Sequence, residues 1–489
     1  MGTTVRGWEF RRRRVRFDRS DHFHLSETMQ AMTTTDAHPL RELLPEGRVF
    51  DDVDVLEAHR RDRATFCPSG TPSVLVRARS TEDVATTLRW ANENRVPVVP
   101  QGARSGLSGA ANALDGCILL SLEKMDRILE IDVEEQIAVV QPGVINGVLA
   151  AAVAEHGLFY PPDPGSRDIS TIGGNVATNA GGMCCVKYGV TGDFVRGLEV
   201  VLADGRVMRT GRRTAKGVAG YDLTHLIVGS EGTLGVVTEV TVALRPAAAR
   251  PLTAVAFFPT VADAARTVAG YLGKGHRPSV LEFMDRPTVL AVQKIADLGF
   301  PDGMAGMLLV QSDRGEAAPA ELAAFEEVAR SFDAAEVIVA DDPAEGELLM
   351  QARRLVGDAH EHLGLALLVD DVCVPRRHLV DLVEGLGRIA DQHGVRVLCA
   401  GHAGDGNMHP VVAFDSDDEA ETARAHQAFD AIMALGLELG GTITGEHGVG
   451  HLKRRWLGEE LDEPALWTQR AIKNALDPNN ILNPGRVLP

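Results

Sequence analysis

The sequence predicts an α+β protein of more than one domain, on three observations. Strand-like and helix-like periodicities alternate from Ser73 to Glu155. A block of short β-branched runs follows up to Leu244, and a second strand–helix alternation begins past Pro246. With 489 residues, 45% hydrophobic and 24% charged, the chain has globular composition and length for two or three cores.

Ordered sequence is expected from "LRELLPEGRVF" onward. "SVLVRAR" reads as a strand, "STEDVATTLRWANEN" as a helix capped by Ser80 or Thr81, and "VPVVPQG" as the next strand. "CILLSL" and "ILEIDVEEQIAVVQPG" add strands before a helix from Asn146 to Glu155. "LEVVLADGRVMRTG" is a hairpin about an Asp-Gly turn, "GTLGVVTEVTVALRP" reads as another strand pair, and Pro246 marks a boundary. Beyond it, "LTAVAFFPTVADAARTVAGYL" is strand then helix, and "GMLLVQSD" with a helix from Ala317 to Phe332 repeats the pattern. "ALLVDDVCVP" leads into a helix ending near His393. "VRVLCAGHAGDGNMHPVVAF" is strand, glycine turn, strand, and a last helix covers Pro464 to Leu476. This half should be an antiparallel sheet with helices on one face.

Composition narrows the function. A formal net charge of −19 argues against a nucleic-acid or anionic-membrane partner while permitting a local positive pocket. No run of ~20 apolar residues offers a membrane span. Six cysteines without CxxC spacing suggest reduced thiols in a cytoplasmic protein, at most peripheral to a membrane. The adjacent Cys184 and Cys185 read as small buried residues. The first 35 residues, with "RRRRVRF" and no apolar run after it, read as a disordered leader, and Met29 or Met32 offers an alternative start.

Three glycine-rich stretches carry chemistry. "PQGARSGLSGAAN", Pro100 to Asn112, follows a strand, and glycines there can turn successive N–H groups toward one point, a nest for phosphate. It lacks the Gly-Lys-Ser/Thr of a Walker loop and the G-x-G-x-x-G dinucleotide fingerprint, so alone it fits a plain turn equally well. "YPPDPGSRDISTIGGNVATNAGG", Tyr160 to Gly182, has too little apolar bulk for core and suits backbone lying against a large flat ligand. "IVGSEGTLGVVTEV", Ile227 to Val240, offers a third close approach.

In this order the three blocks resemble the FAD-binding domain of the vanillyl-alcohol oxidase / p-cresol methylhydroxylase (PCMH) superfamily, from about Pro72 to Leu244. An FAD-linked oxidase domain continues the likeness to the C-terminus, and the chain looks most like the D-lactate dehydrogenase / glycolate oxidase D-subunit group. The resemblance implies a two-subdomain PCMH-type FAD-binding domain over 36–246. It further implies an α+β cap domain with an antiparallel sheet and a helical C-terminal part over 247–476, and a segment 477–489 returning to the FAD domain. It casts Pro100, Gly102, Ala103, Arg104, Ser105, Gly106 and Gly109 as the pyrophosphate cradle. Pro162, Asp163, Gly165, Thr171, Gly173, Gly174, Asn175, Thr178 and Gly181 would line the flavin. Glu231, Gly232 and Val237 would approach it again, with Asn483 in the returning segment. Members that attach FAD covalently carry a histidine where "RSGLSG" has Leu107 and Ser108, so the FAD should be non-covalent.

"GHAGDGNMHP" and "TGEHGVG" hold three histidines and a glutamate among glycines. Imidazoles suit Zn, Fe or Mn, Glu446 offers a carboxylate, and three protein ligands would leave room for water or substrate. By spacing alone His402 and His409 fit a glycine turn capped by backbone carbonyls as well. The resemblance implies His402, His409 and Glu446 as ligands of a divalent metal and His447 as the base near the flavin. The implied reaction is oxidation of a D-2-hydroxy acid to the 2-oxo acid by metal-assisted hydride transfer to FAD. Arg353 matches the arginine that holds the substrate carboxylate, and a guanidinium fork suits that task. Relatives acting on D-2-hydroxyglutarate carry a lysine at Val369 and an asparagine near Val411, so the valines favour a monocarboxylate such as D-lactate or glycolate. Without a cysteine cluster, electrons should leave to a separate quinone, cytochrome or iron–sulfur partner, and the chain is expected to form a homo-oligomer. A flavin-binding subunit of a larger complex, a D-2-hydroxyglutarate enzyme and a non-redox flavoenzyme of the same superfamily are the alternatives.

Overall fold

In the computed structural model, residues 38–64, 66–296, 300–340 and 342–489 are described, and Pro39–Pro489 form one compact unit. The expected leader over 1–35 lies outside the described residues. Three sheets of four or more strands organise the unit, beside a two-stranded one that pairs Arg245–Pro246 with Leu158–Phe159.

The first sheet pairs Val74–Arg77, Ile118–Ser121 and Val98–Gln101 in parallel, with Val49–Phe50 antiparallel at one edge. Its strands are almost wholly buried, as parallel strands covered on both faces require. The helix Thr81–Asn94 covers one face with Val84, Leu88 and Ala91, and Ser80 caps it by accepting from Asp83 N. The second sheet is antiparallel, in the order 128–132, 137–140, 236–243, 195–201, 207–211. "GTLGVVTEVTVALRP" is not a strand pair: Val236–Ala243 is one long strand that fills the middle of this sheet between two earlier strands. Its alternating burial leaves no internal turn residue at which to fold back.

The third sheet belongs to residues 252–414 and is antiparallel throughout. Helices lie on both of its faces rather than one. Val261–Gly273, Ala318–Ser331, Leu379–His393 and Glu419–Glu438 pack on the face that carries Phe258, Leu308 and Val310. Arg286–Gln293, Pro343–Arg354 and Val356–Glu361 pack on the opposite face against Phe257, Leu309 and Leu398. The strands explain this: Leu252–Phe258 and Gly306–Ser312 are apolar at consecutive positions, which a sheet wet on one side would not tolerate. Cys184 and Cys185 are half-buried, not buried, and Cys184 lines a cavity.

Residues 477–489 lie back against the first sheet: Leu482 bridges to Val98 in parallel, and Asn483 N donates to Val98 O (2.8 Å). Lys473 anchors this return, its Nζ donating to Thr233 O and Leu482 O (both 2.8 Å) and to the buried Asp477 carboxylate (2.5 Å). Lys473→Met leaves Asp477 buried without its counter-charge, an expected loss of about 3–5 kcal/mol, read as a lower denaturant midpoint.

Candidate active site

Imidazoles converge because one hairpin and one loop are each forced into place. His402 ends the strand Arg396–His402, and His409 lies on Asn407–Phe414, its Cα facing Ala400 across the ladder. The turn between them closes only with glycine at 406, where φ is +90° and a Cβ would stand 2.1 Å from Val374 O. The loop Thr444–Gly450 is wound around a carboxylate. Asp371 Oδ2 accepts from Thr444 Oγ1 (2.6 Å) and from the N–H groups of Gly445 (3.0 Å), Glu446 (3.0 Å) and His447 (2.8 Å). Beneath it the buried Lys453 donates to Ile443 O (2.8 Å) and stands 3.4 Å from Asp370 Oδ1. The far end of the loop is held by Glu231, which accepts from Val449 N (2.8 Å) and Gly450 N (2.9 Å).

These constraints set Glu446 Oε1 at 3.0 Å from His409 Nε2, 3.3 Å from His402 Nε2 and 3.8 Å from His447 Nε2. His447 stacks on His409 with ring centroids 4.9 Å apart, and His402 meets His409 edge-on at 5.0 Å. Behind His402, Glu282 accepts from Nδ1 at 2.8 Å, and Arg353 Nε donates to the same glutamate at 2.7 Å. Burial opposes charge throughout. Burial lowers His402, but Glu282 and Glu446 outweigh it and hold the imidazole well above its usual range. Burial raises Glu446, and His402 with His409 more than reverses that. Burial raises Asp371 too, yet His447, Lys453 and His409 hold it well below the carboxylate range. His447 goes the other way: burial brings it down to about 4 against the pull of Asp371, leaving a neutral imidazole at neutral pH.

The cluster fits a divalent cation. Ligand atoms about 2.0–2.2 Å from one ion lie roughly 3.0–3.5 Å from each other, and Glu446 Oε1 stands at that spacing from His402 Nε2 and from His409 Nε2. Glu446 Oε2 is buried without a hydrogen-bond partner, and the Glu282–His402 pair is the carboxylate–histidine arrangement that orients a metal ligand. Asp371, His409, Glu446 and His447 also bring ligand atoms within 4.8 Å of one another. Asp371 spends Oδ2 on the loop, and its Oδ1, buried without a hydrogen-bond partner, lies 3.6 Å from His409 Nδ1.

Arg353, His402, His409, Glu446 and His447 face one cavity of about 1740 Å³, beyond the ~300–1,000 Å³ usual for a single small ligand. Of the cofactor residues expected from sequence, all but Gly109 and Pro162 line it, together with Arg353, His402, His409, Glu446 and His447. Gly109 packs instead on Cys67, where a Cβ would stand 2.7 Å from the thiol. Pro162 is buried, and its carbonyl accepts from Asn146 Nδ2 (3.2 Å). The phosphate-nest expectation meets a fitting backbone: Arg104 has φ +56°, and among the described residues none accepts from the N–H groups of Ala103 to Leu107. Asn483 Nδ2 ties Ala110 O (3.1 Å) to Glu231 O (2.8 Å), closing the two cofactor turns on each other.

A mixed fold in which two sheets present glycine loops to a dinucleotide-sized cavity, and a third closes it with charged side chains, defines an FAD-binding oxidoreductase. Residues 72–211 match the FAD binding domain family and residues 248–487 the family of FAD linked oxidases, C-terminal domain. The chain belongs to the FAD-linked oxidase family. It is 42% identical to glycolate oxidase subunit GlcD of Bacillus subtilis, over 90% of this chain and 93% of that one. It is 36% identical to D-lactate dehydrogenase of Anaerostipes hadrus, over 91% and 96%. Among solved structures, p-cresol methylhydroxylase shares the fold with a TM-score of 0.74 at 20% identity, covering 91% and 95% of the two chains.

The sequence reading passed over Asp371, Glu282 and Lys453. Asp371 was visible as half of an acid pair interrupting the apolar "LLVDDVCV", and Glu282 as an acid inside "SVLEFM". Two outcomes follow. Asp371→Asn removes the charge on which four donors converge, an expected loss of about 3 kcal/mol or more in a denaturant titration. Burial raises the Glu231 carboxyl from 4.5 to about 7, so the folded protein retains a proton that the unfolded chain releases. Its contribution to stability is therefore full below about pH 4.5 and lost as pH rises through about 7. Glu231→Gln should flatten that part of the stability–pH curve of FAD-free protein.

Proposed function

We propose that the protein oxidises a D-2-hydroxy acid of the D-lactate or glycolate type to the 2-oxo acid, with non-covalent FAD and a divalent metal, Zn, Fe or Mn. The observation that carries this reading is the convergence of His402, His409 and His447 on Glu446, beside Arg353, in the cavity that the FAD loops line. When bound, FAD supplies the two-electron acceptor and the metal a Lewis acid that lowers the pKa of the substrate hydroxyl.

Pro100, Gly102 to Gly106, Asp163, Gly165, Thr171, Gly173 to Asn175, Thr178, Gly181, Glu231, Gly232, Val237 and Asn483 are the residues that would hold FAD. His402, His409 and Glu446 would hold the metal. Arg353, its Nε fixed by Glu282, directs the rest of its guanidinium to the substrate carboxylate. His447, neutral in its buried position, takes the hydroxyl proton while the C2–H bond breaks and the C2–O double bond forms. Two electrons and two protons leave the substrate in all. Val369 and Val411 line the cavity and disfavour a second carboxylate.

Neither the proposed ligands His402, His409 and Glu446 nor the neighbouring cluster of Asp371, His409, Glu446 and His447 includes a cysteine, and all six cysteines are free. Electrons therefore pass to a separate acceptor, a quinone, cytochrome or iron–sulfur protein. The name of the B. subtilis relative, a subunit, favours a stable partner in that role. Among the described residues no helix is long and apolar enough to cross a membrane.

Anaerobic titration of the flavin band with D-lactate, L-lactate, glycolate and D-2-hydroxyglutarate tests the reading. Bleaching by a D-monocarboxylate or glycolate is expected, lost on chelation, with kcat lowered roughly 10²–10⁴-fold in His447→Ala. A yellow protein that none of the four bleaches would refute it.

A further inference from the structure

Helices Pro343–Arg354 and Val356–Glu361 run almost continuously, with Ala359 N donating to Leu355 O (2.8 Å) across the join. Met350, Arg353, Gly357 and His360 stand at i, i+3, i+7 and i+10, one helical face, and all four line the cavity. Gly357 makes a trough in that face: a Cβ there would meet nothing within 4 Å. Arg353 and His360 flank the trough about 10 Å apart along the axis, at 1.5 Å per residue.

His360 is 5% exposed, and its Nε2 is buried without a hydrogen-bond partner among the described residues. A buried ring nitrogen without a partner is rare enough to point to a ligand. Burial, with the nearby Arg353 charge, brings its pKa down to about 4, so the ring is neutral. It is unsuited to neutralising a second carboxylate, and Asp358 and Glu361, which also line this part of the cavity, would repel one. A neutral imidazole, one nitrogen donating and one accepting, matches a hydroxyl.

We infer that the trough over Gly357 receives the side chain of the 2-hydroxy acid and that His360 hydrogen-bonds a hydroxyl on it. The preferred substrate is then a dihydroxy or polyhydroxy acid rather than its deoxy analogue. This rests on the 2-hydroxy-acid reading proposed above. A site built around a substrate hydroxyl discriminates against the analogue that lacks it, because the protein group is then left unpaired.

The test measures kcat/KM of the holoenzyme on pairs matched in length: D-lactate against D-glycerate, and D-2-hydroxybutyrate against D-2,4-dihydroxybutyrate. The expected result is a preference of roughly 10-fold or more for the hydroxylated member of at least one pair. His360→Leu should erase that preference while leaving the deoxy member's kcat/KM within about 3-fold, and His360→Gln should restore part of it. Flavin content of each variant reports on folding. No preference in either pair, or an equal loss on both members in His360→Leu, overturns the inference. Flavin that none of the four acids reduces overturns the 2-hydroxy-acid reading itself.

Discussion

The Asp371 carboxylate is the constraint on which the catalytic half of the molecule depends. A loop with three glycines in seven residues has no stiffness of its own, and Glu446 and His447 lie in the middle of it. One buried oxygen gathers a hydroxyl and three consecutive backbone N–H groups, and so replaces the missing secondary structure with charge-assisted hydrogen bonds. Lys453 supplies the countercharge and ties down the carbonyl of Ile443, while Glu231 grips the other end from the cofactor half. Glycine gives the loop its shape, and the acids that surround it give it rigidity.

The cavity divides its chemistry between backbone and side chain. On the FAD side the lining is rich in glycine, proline, serine and threonine, with charged residues such as Arg104, Asp163 and Glu231 set among them. On the opposite side Arg353, Glu282, His402, Glu446 and His409 form one continuous chain of ion pairs and hydrogen bonds. That chain couples a group suited to a carboxylate to groups suited to a metal, so displacing any member shifts the next. A large planar cofactor needs close approach along its whole length, whereas a small substrate needs a few strong, aimed contacts.

Much of this was legible in the sequence, and the limits have physical causes. Local patterns placed most of the strands, because caps such as Ser80 and turns such as Asp204-Gly205 act within a few residues, but they passed over helices such as Arg286–Gln293 and Glu419–Glu438. Val236–Ala243 was misread because one strand paired on both edges and two strands in a hairpin share the same alternation. The covering of the third sheet on both faces was written in its consecutive apolar residues, but only with the sheet assembled does the second layer of helices become evident. The histidines and Glu446 stood out by residue type and glycine context. Asp371 and Glu282 did not, since their partners lie 73 to 76 and 120 residues away and no local signal connects them.

The C-terminal return has a bearing on how the molecule is made. Asn483 completes the cradle by joining Ala110 to Glu231 across 373 and 252 residues of chain. During synthesis the two turns emerge long before the residue that joins them, so this link between them waits until Asn483 has been made. The link forms only after the third sheet, residues 252–414, has been made, and a contact of such sequence separation is among the slowest to close.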